Sequence, residues 1–188
     1  MAAASKISVF SAETQTLSDE TLRKIAALWT SAFPTPPTRD RFAEAAARRD
    51  GRDAAATREK IHYVLAADGT CLAAARSFRR EVDVGGRPII VLALAHVATS
   101  PAARGRGLGA AVVRSAWARL GRDGVEECVF CTGVPDFYAK LGALKLAARD
   151  VVYPAGAKRF VDPSLFRVAT AAAADWPDGA LDVRGDGW

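Results

Sequence analysis

The sequence predicts an α/β domain built on a mixed, mostly antiparallel sheet of six to seven strands with helices on both faces. Three observations carry that prediction. The stretch from Lys60 to Ser100 holds apolar runs separated by Asp68-Gly69 and Gly85-Gly86, the sequence form of antiparallel hairpins. Downstream of it, helical and strand periodicities alternate, which implies helices packed on a sheet. The chain has 188 residues, half of them hydrophobic and a quarter charged, the size and balance of one globule with one core. Residues 1–188 are therefore read as a single domain.

Each element follows in order. Lys6 to Ala12 is a short strand. Ser18 caps the next helix, whose Leu22, Ile25, Ala26, Trp29 and Phe33 fall on one face, and Pro34, Pro36 and Pro37 end it. The segment "RDRFAEAAARRDG" is a second, weaker helix that stops near Gly51, with a polar loop over 51–59. Three strands follow near 61–67, 71–83 and 88–99. The last is apolar on both faces, which places it centrally in the sheet. Leu108, Val112, Ala116 and Leu120 repeat at helical spacing, and Gly121 or Gly124 ends that helix. "VEECVFCTG" is a strand, and Pro135 opens a short helix that stops at Gly142. "LKLAARDVVYP" and "FRVATAAA" are two further apolar runs.

Composition narrows the function classes. No apolar run approaches the ~20 residues that span a bilayer. The N-terminus has no long apolar core and no clear cleavage site, so no secretory signal is read there. Cys71, Cys128 and Cys131 are an odd, small set, which points to a reducing, cytoplasmic compartment and away from a disulfide scaffold. The net charge of +5 suits an anionic ligand. The arginines are scattered and no nucleic-acid motif accompanies them, so neither nucleic acid nor membrane is an expected partner. Cys128-x-x-Cys131 lies on a strand, whose alternation separates the two sulfurs, and no second pair exists, so no metal is expected. His62 reads as an ordinary strand residue.

The chemistry concentrates in "SPAARGRGLGAAVV", Ser100 to Val113. A central strand runs into a glycine- and arginine-rich loop and then into a helix. The first helical turn has unpaired N–H groups and the positive end of the dipole, and glycines let phosphate oxygens approach the backbone. No Gly-Lys-Ser/Thr closes the loop, so it is not a P-loop. Gly105-x-Gly107-x-x-Ala110 matches the loose dinucleotide fingerprint. That reading has two defects: "SPAAR" separates the glycines from the strand, and Glu126 and Glu127 sit at the start of the next strand rather than its far end.

The stretch resembles the signature of the Gcn5-related N-acetyltransferase (GNAT) superfamily, Arg/Gln-x-x-Gly-x-Gly/Ala after the fourth strand. Here it is Arg104-Gly105-Arg106-Gly107-Leu108-Gly109, led in by Val97-Ala98-Thr99-Ser100-Pro101. A second motif agrees: Phe137, Tyr138 and Gly142 match the family's Phe-Tyr-x-x-x-Gly-Phe, with Ala143 in place of the last aromatic. Together the two motifs cover residues 88–146. The resemblance implies that the loop from Arg104 through Gly105, Arg106, Gly107, Leu108 and Gly109 to Ala110 holds the pyrophosphate of acetyl-CoA. It implies that backbone groups of Val97 and Thr99 pair with the pantetheine arm, and that an N–H near Val97 or Ala98 polarises the thioester carbonyl. Tyr138 would protonate the departing thiolate, direct transfer would go to the amine of a small polar acceptor, and no covalent intermediate is needed.

The base is less clear. The family often places Glu or His on strand four, but those positions are Ala93 and Ala95 here. His96 is adjacent, and a bulge, common on that strand in the family, would bring it into phase. The tail 175–188 ends in Gly185-Asp186-Gly187-Trp188, similar to tails of aminoglycoside 2′-N-acetyltransferase-like members. There the tail folds back on the acceptor, which implies acceptor binding by Asp186 and Trp188 and a catalytic place for the Trp188 carboxylate. A protein lysine or N-terminal acetyltransferase and a non-catalytic acyl-CoA-binding module are the alternatives, and a homodimer is compatible with all three.

Overall fold

The structure is a computed structural model that describes residues 8–33, 40–51, 58–147, 149–153, 158–173 and 175–184. The chain forms two compact units, residues 1–77 with 96–116 and residues 78–95 with 117–188.

In the first unit, β1 (Phe10–Glu13) pairs antiparallel with β2 (Lys60–Leu65), and β2 pairs antiparallel with the first half of β3 (Cys71–Val84). The turn between β2 and β3 is closed by the Gly69 N–H on the Ala66 carbonyl, and Asp68 accepts from the Thr70 N–H at 2.9 Å. α1 (Asp19–Ala32) starts where the sequence places it, with the Ser18 hydroxyl accepting from the Thr21 N–H. Its Leu22, Ile25, Ala26, Leu28 and Trp29 are buried. α2 (Arg41–Asp50) is capped by Asp40, whose carboxylate accepts from the N–H groups of Phe42 and Ala43. These helices bury Leu22, Ile25, Trp29 and Ala45 in one cluster with Ile61, Ala74 and Ala98. Each large side chain there stabilises by about 1.5–3 kcal/mol.

In the second unit, β3 turns through Gly85 and Gly86 into β4 (Arg87–Thr99). Both glycines have positive φ, +58° and +87°, the backbone of the tight hairpin turn that matches strand twist. β5 (Glu127–Cys131) runs parallel to β4, and β9 (Leu165–Ala169) pairs antiparallel with β5. β6 (Leu144–Lys145) pairs with β9, and β7 (Arg149–Tyr153) with β8 (Lys158–Asp162). β10 (Leu181–Asp182) fits between β3 and β7, antiparallel to the first and parallel to the second. The strand order is β6-β9-β5-β4-β3-β10-β7-β8.

The sheet is mixed and mostly antiparallel, as expected, but among the described residues it has ten strands rather than six to seven. β8 and β10 are unexpected, and the single run "LKLAARDVVYP" yields two strands, β6 and β7. β10 has only two residues and is fixed by partners about a hundred positions away, Leu181 against Val84 and Asp182 against Asp83. The helix after the loop, α3 (Leu108–Trp117), stops short of Gly121. The chain tightens there instead, with the Leu120 N–H on the Trp117 carbonyl and the Gly121 N–H returning to Val125. α4 (Pro135–Ala139) is the short helix that Pro135 predicts, and it ends before Gly142, at φ +98°.

Candidate active site

The glycine loop starts as a 3-10 turn over Pro101–Ala103, closed by the Ala103 N–H on the Ser100 carbonyl. Buried Ala103 and buried Leu108 fix its two ends, while Arg104, Gly105, Arg106 and Gly107 are exposed between them. Gly105 and Gly107 have φ of +75° and +78°, a region that side-chain-bearing residues rarely adopt. A Cβ on either glycine would meet nothing within 4 Å. The glycines are thus required by backbone conformation, and the space before them is open. The first intrahelical bond runs from the Ala111 N–H to the Gly107 carbonyl at 3.0 Å. The N–H groups of Leu108, Gly109 and Ala110 precede it and point out of the helix start. This is a fitting cradle for a pyrophosphate.

The strand leading into the loop also has the needed geometry. The Ser100 N–H donates to the Leu72 carbonyl at 2.8 Å, so the backbone groups of Ser100 face β3. Backbone groups of successive strand residues point to opposite edges, so those of Thr99 and Val97 face the edge away from β3. Ala98 is buried under α1, with Val97 and Thr99 half-buried beside it.

A buried histidine supports α3. His62 is fully buried, with Nδ1 2.9 Å from the Ser115 hydroxyl and Nε2 2.8 Å from the Ser77 hydroxyl. It links β2 to β3 and to the helix that carries the loop, a larger role than the ordinary strand position expected of it.

His96 has φ +51° within β4, an irregular backbone position of the kind a bulge requires. Its ring lies against Trp29, centroids 5.1 Å apart, and edge-on to Phe33 at 5.8 Å. Its Nε2 is 3.1 Å from Nη1 of Arg41, a residue only 8% exposed. A guanidinium only donates, so Nε2 accepts and the ring proton is on Nδ1. One of its nitrogens is engaged by a cation. Arg41 is a partner the sequence does not reveal, because nothing local links positions 55 residues apart.

Tyr138, in the second unit, is 5% exposed. Its ring packs on Phe130 at 4.6 Å and edge-on to Phe137 at 4.8 Å. Burial first, and then neighbouring Cys128, push its phenol well above the ordinary tyrosine range, so it stays protonated at neutral pH. Burial likewise pushes the Cys71 thiol up to about 12 and the Cys128 thiol higher still, which makes both poor nucleophiles. Ala93 and Ala95 are buried, as apolar strand positions should be. Among the described residues, no group of three or more His, Cys, Asp or Glu side chains could hold a metal. No described helix is long and apolar enough to cross a membrane.

The described part of the tail is anchored on the sheet. Leu181 and Val183 are fully buried, and Arg184 pairs with Glu81 and with Asp83. Trp176 packs on the same apolar cluster as Leu181, and the Gly85 N–H donates to the Ala180 carbonyl at 3.0 Å. Leu181 and Asp182 are thus part of the sheet, and Leu181, Val183 and Trp176 pack on its core. Asp186 and Trp188 lie outside the described residues.

A mixed sheet whose strand β4 feeds an open, glycine-rich loop at a helix start defines an α/β protein with room for an anion at that loop. The chain belongs to the GNAT acetyltransferase family: the family model described as "Acetyltransferase (GNAT) domain" matches residues 13–144, more than two thirds of it. No curated protein matches. Among solved structures, the chain is similar to the GNAT family N-acetyltransferase YhbS of Escherichia coli, crystallised with CoA. That pair is 18% identical at a TM-score of 0.67, over 95% of this chain and 91% of the other. It is similar to a GNAT family acetyltransferase of Brucella melitensis in complex with acetyl-CoA, 18% identical at a TM-score of 0.57, over 94% and 96%. It is also similar to a GCN5-related N-acetyltransferase of Kribbella flavida, 19% identical at a TM-score of 0.60, over 76% of this chain. The chain spans about a third of that protein's length.

Proposed function

We propose that the chain is an acetyl-CoA-dependent N-acetyltransferase that passes acetyl directly to the amine of a small polar acceptor. The observation that carries this reading is the left-handed Gly105 and Gly107 pair, open to solvent, at the start of α3. Exposed Arg104 and Arg106 add positive charge there. The N–H groups from Gly105 to Ala110 hold the pyrophosphate, and the free backbone edge of Val97 and Thr99 takes the pantetheine arm. Two of the similar structures hold CoA and acetyl-CoA, which supports the same co-substrate here. Acetyl-CoA supplies the activated acetyl group, and its thioester lies where β4 and β5 part.

The chain's own groups then do three things. The backbone N–H of Val97, on the edge away from β3, polarises the carbonyl. Tyr138 gives its proton to the leaving thiolate. A free thiol titrates near ~8.5, well below this phenol, so the transfer requires a thiolate that is itself desolvated. With Nε2 held by Arg41 and the ring hydrogen on Nδ1, His96 serves as base only after Arg41 releases Nε2; otherwise the amine proton leaves to water. The enzyme works in the cytoplasm, and the whole chain acts as one domain.

Gly107→Val tests the cradle. A β-branched residue at φ +78° strains the loop, and its side chain enters the space assigned to phosphate. Acetyl-CoA affinity by calorimetry should fall at least about tenfold, and the backbone strain should lower the melting temperature by only a few degrees. Unchanged affinity would remove the cradle from the account.

A further inference from the structure

β4 and β5 pair in parallel at Leu92↔Cys128 and Ala93↔Val129. Both strands continue, β4 through Leu94 and Ala95 and β5 through Phe130 and Cys131, with no further pair between them among the described residues. Cys131 is therefore two residues into the divergence. Its side chain is half-buried against the cluster of Val91, Val129 and Leu165. Its thiol lies 3.2 Å from Oδ2 of Asp162, the last residue of β8. Asp162 is only 7% exposed.

The two oxygens of Asp162 have different surroundings. Oδ1 accepts from the Ser164 N–H at 2.7 Å and the Ser164 hydroxyl at 2.5 Å, which closes the turn into β9. Oδ2 has only the Cys131 thiol, a weak donor, among the bonds described, and a carboxylate oxygen has room for about two. A turn alone would be served by a neutral side chain. Here a carboxylate is buried beside apolar side chains and held by neutral donors, so its negative charge remains available to a cation. Strand four offers no such charge, since its expected positions are Ala93 and Ala95.

We infer that Asp162 is the anionic anchor of the acceptor site, receiving the ammonium group of a cationic amine at the parting of β4 and β5, with Cys131 in the wall between acceptor and acetyl group. This rests on the reading that the thioester lies at that divergence. Asp162 binds the amine and does not deprotonate it. Burial pushes its carboxyl up, but the Ser164 and Cys131 donors more than offset that and leave it below the ordinary aspartate range, a weak base. The proton leaves from the bound ammonium to water before the nitrogen attacks.

The test uses the full chain. Cys71 and Cys128 are buried with raised thiol pKa values, so iodoacetamide labels Cys131 selectively. Saturating acetyl-CoA should slow that labelling about tenfold or more, followed by mass spectrometry. Asp162→Asn keeps an acceptor for Ser164 and removes the charge. It should raise KM for each cationic amine turned over by on the order of 10- to 100-fold, with acetyl-CoA affinity and melting temperature kept. Asp162→Glu, which keeps the charge but moves it, should recover part of that loss. Acetyl-CoA that binds by calorimetry without protecting Cys131 overturns the inference. So does an unchanged amine KM in Asp162→Asn, or bound acetyl-CoA with no turnover of any cationic amine. If acetyl-CoA does not bind at all, the cofactor reading fails first and this inference falls with it.

Discussion

Tyr138→Phe is expected to lower kcat by about 10²–10³-fold while leaving acetyl-CoA affinity nearly unchanged. The substitution removes only the phenol oxygen. The ring keeps its packing on Phe130 and Phe137, so the melting temperature should move little. The expected signature is a fall in kcat with KM for acetyl-CoA preserved, as for an interaction made only in the transition state. The pH profile adds a second check. Burial raises this phenol, so loss of activity from its ionisation falls above the ordinary tyrosine range, and activity should hold through pH 9 on that limb. A non-catalytic acyl-CoA-binding module would be indifferent to the substitution, and the buried alanines at 93 and 95 are what favours that alternative. Equal turnover in wild type and Tyr138→Phe would reduce Tyr138 to a core residue.

The second large effect lies in the tail. A chain ending at Ala180 loses Leu181 and Val183, both fully buried, and with them the β10 ladder to β3 and β7. Burial at about 1.5–3 kcal/mol per side chain puts the loss near ~3–6 kcal/mol. That is a large share of a typical net stability of about 5–15 kcal/mol. The melting temperature should drop by on the order of 10 °C or more. A chain ending at Arg184 keeps Leu181, Val183 and the ion pairs of Arg184 with Glu81 and Asp83. It should melt like the full chain, and differential scanning calorimetry on both distinguishes the cases. Only the Arg184 truncation tests an acceptor role for Asp186 and Trp188, because it removes them and keeps β10. Equal melting of the Ala180 chain and the full chain would contradict the structural place of β10.

What the sequence reveals and what it hides divides by the range of the cause. The glycine loop is legible because its requirement is local: positive φ at Gly105 and Gly107, then a helix start. The Ser18 cap and the Gly85-Gly86 turn are legible for the same reason. β10 is not, since two residues have no period and gain their strand form from Val84 and Val151. The end of α3 is not legible, because glycines at 121 and 124 suggest a stop while the chain tightens into turns from Trp117. At the site, the cofactor loop, Tyr138 and His96 are read from the sequence, and the side chains that surround them only from the fold. His96 was visible as a candidate, but Arg41 on its Nε2 was not. Cys131 was visible as a strand end, but Asp162, 31 residues on, became its partner only through the β8–β9 turn.

The most direct test of the central claim is thiol release from acetyl-CoA by the full chain over a panel of aminoglycosides, polyamines, amino acids and short peptides. The account predicts turnover of one class of small cationic amine, with little release from the peptides. Tight binding of acetyl-CoA with no release above the amine-free rate for any acceptor would contradict it.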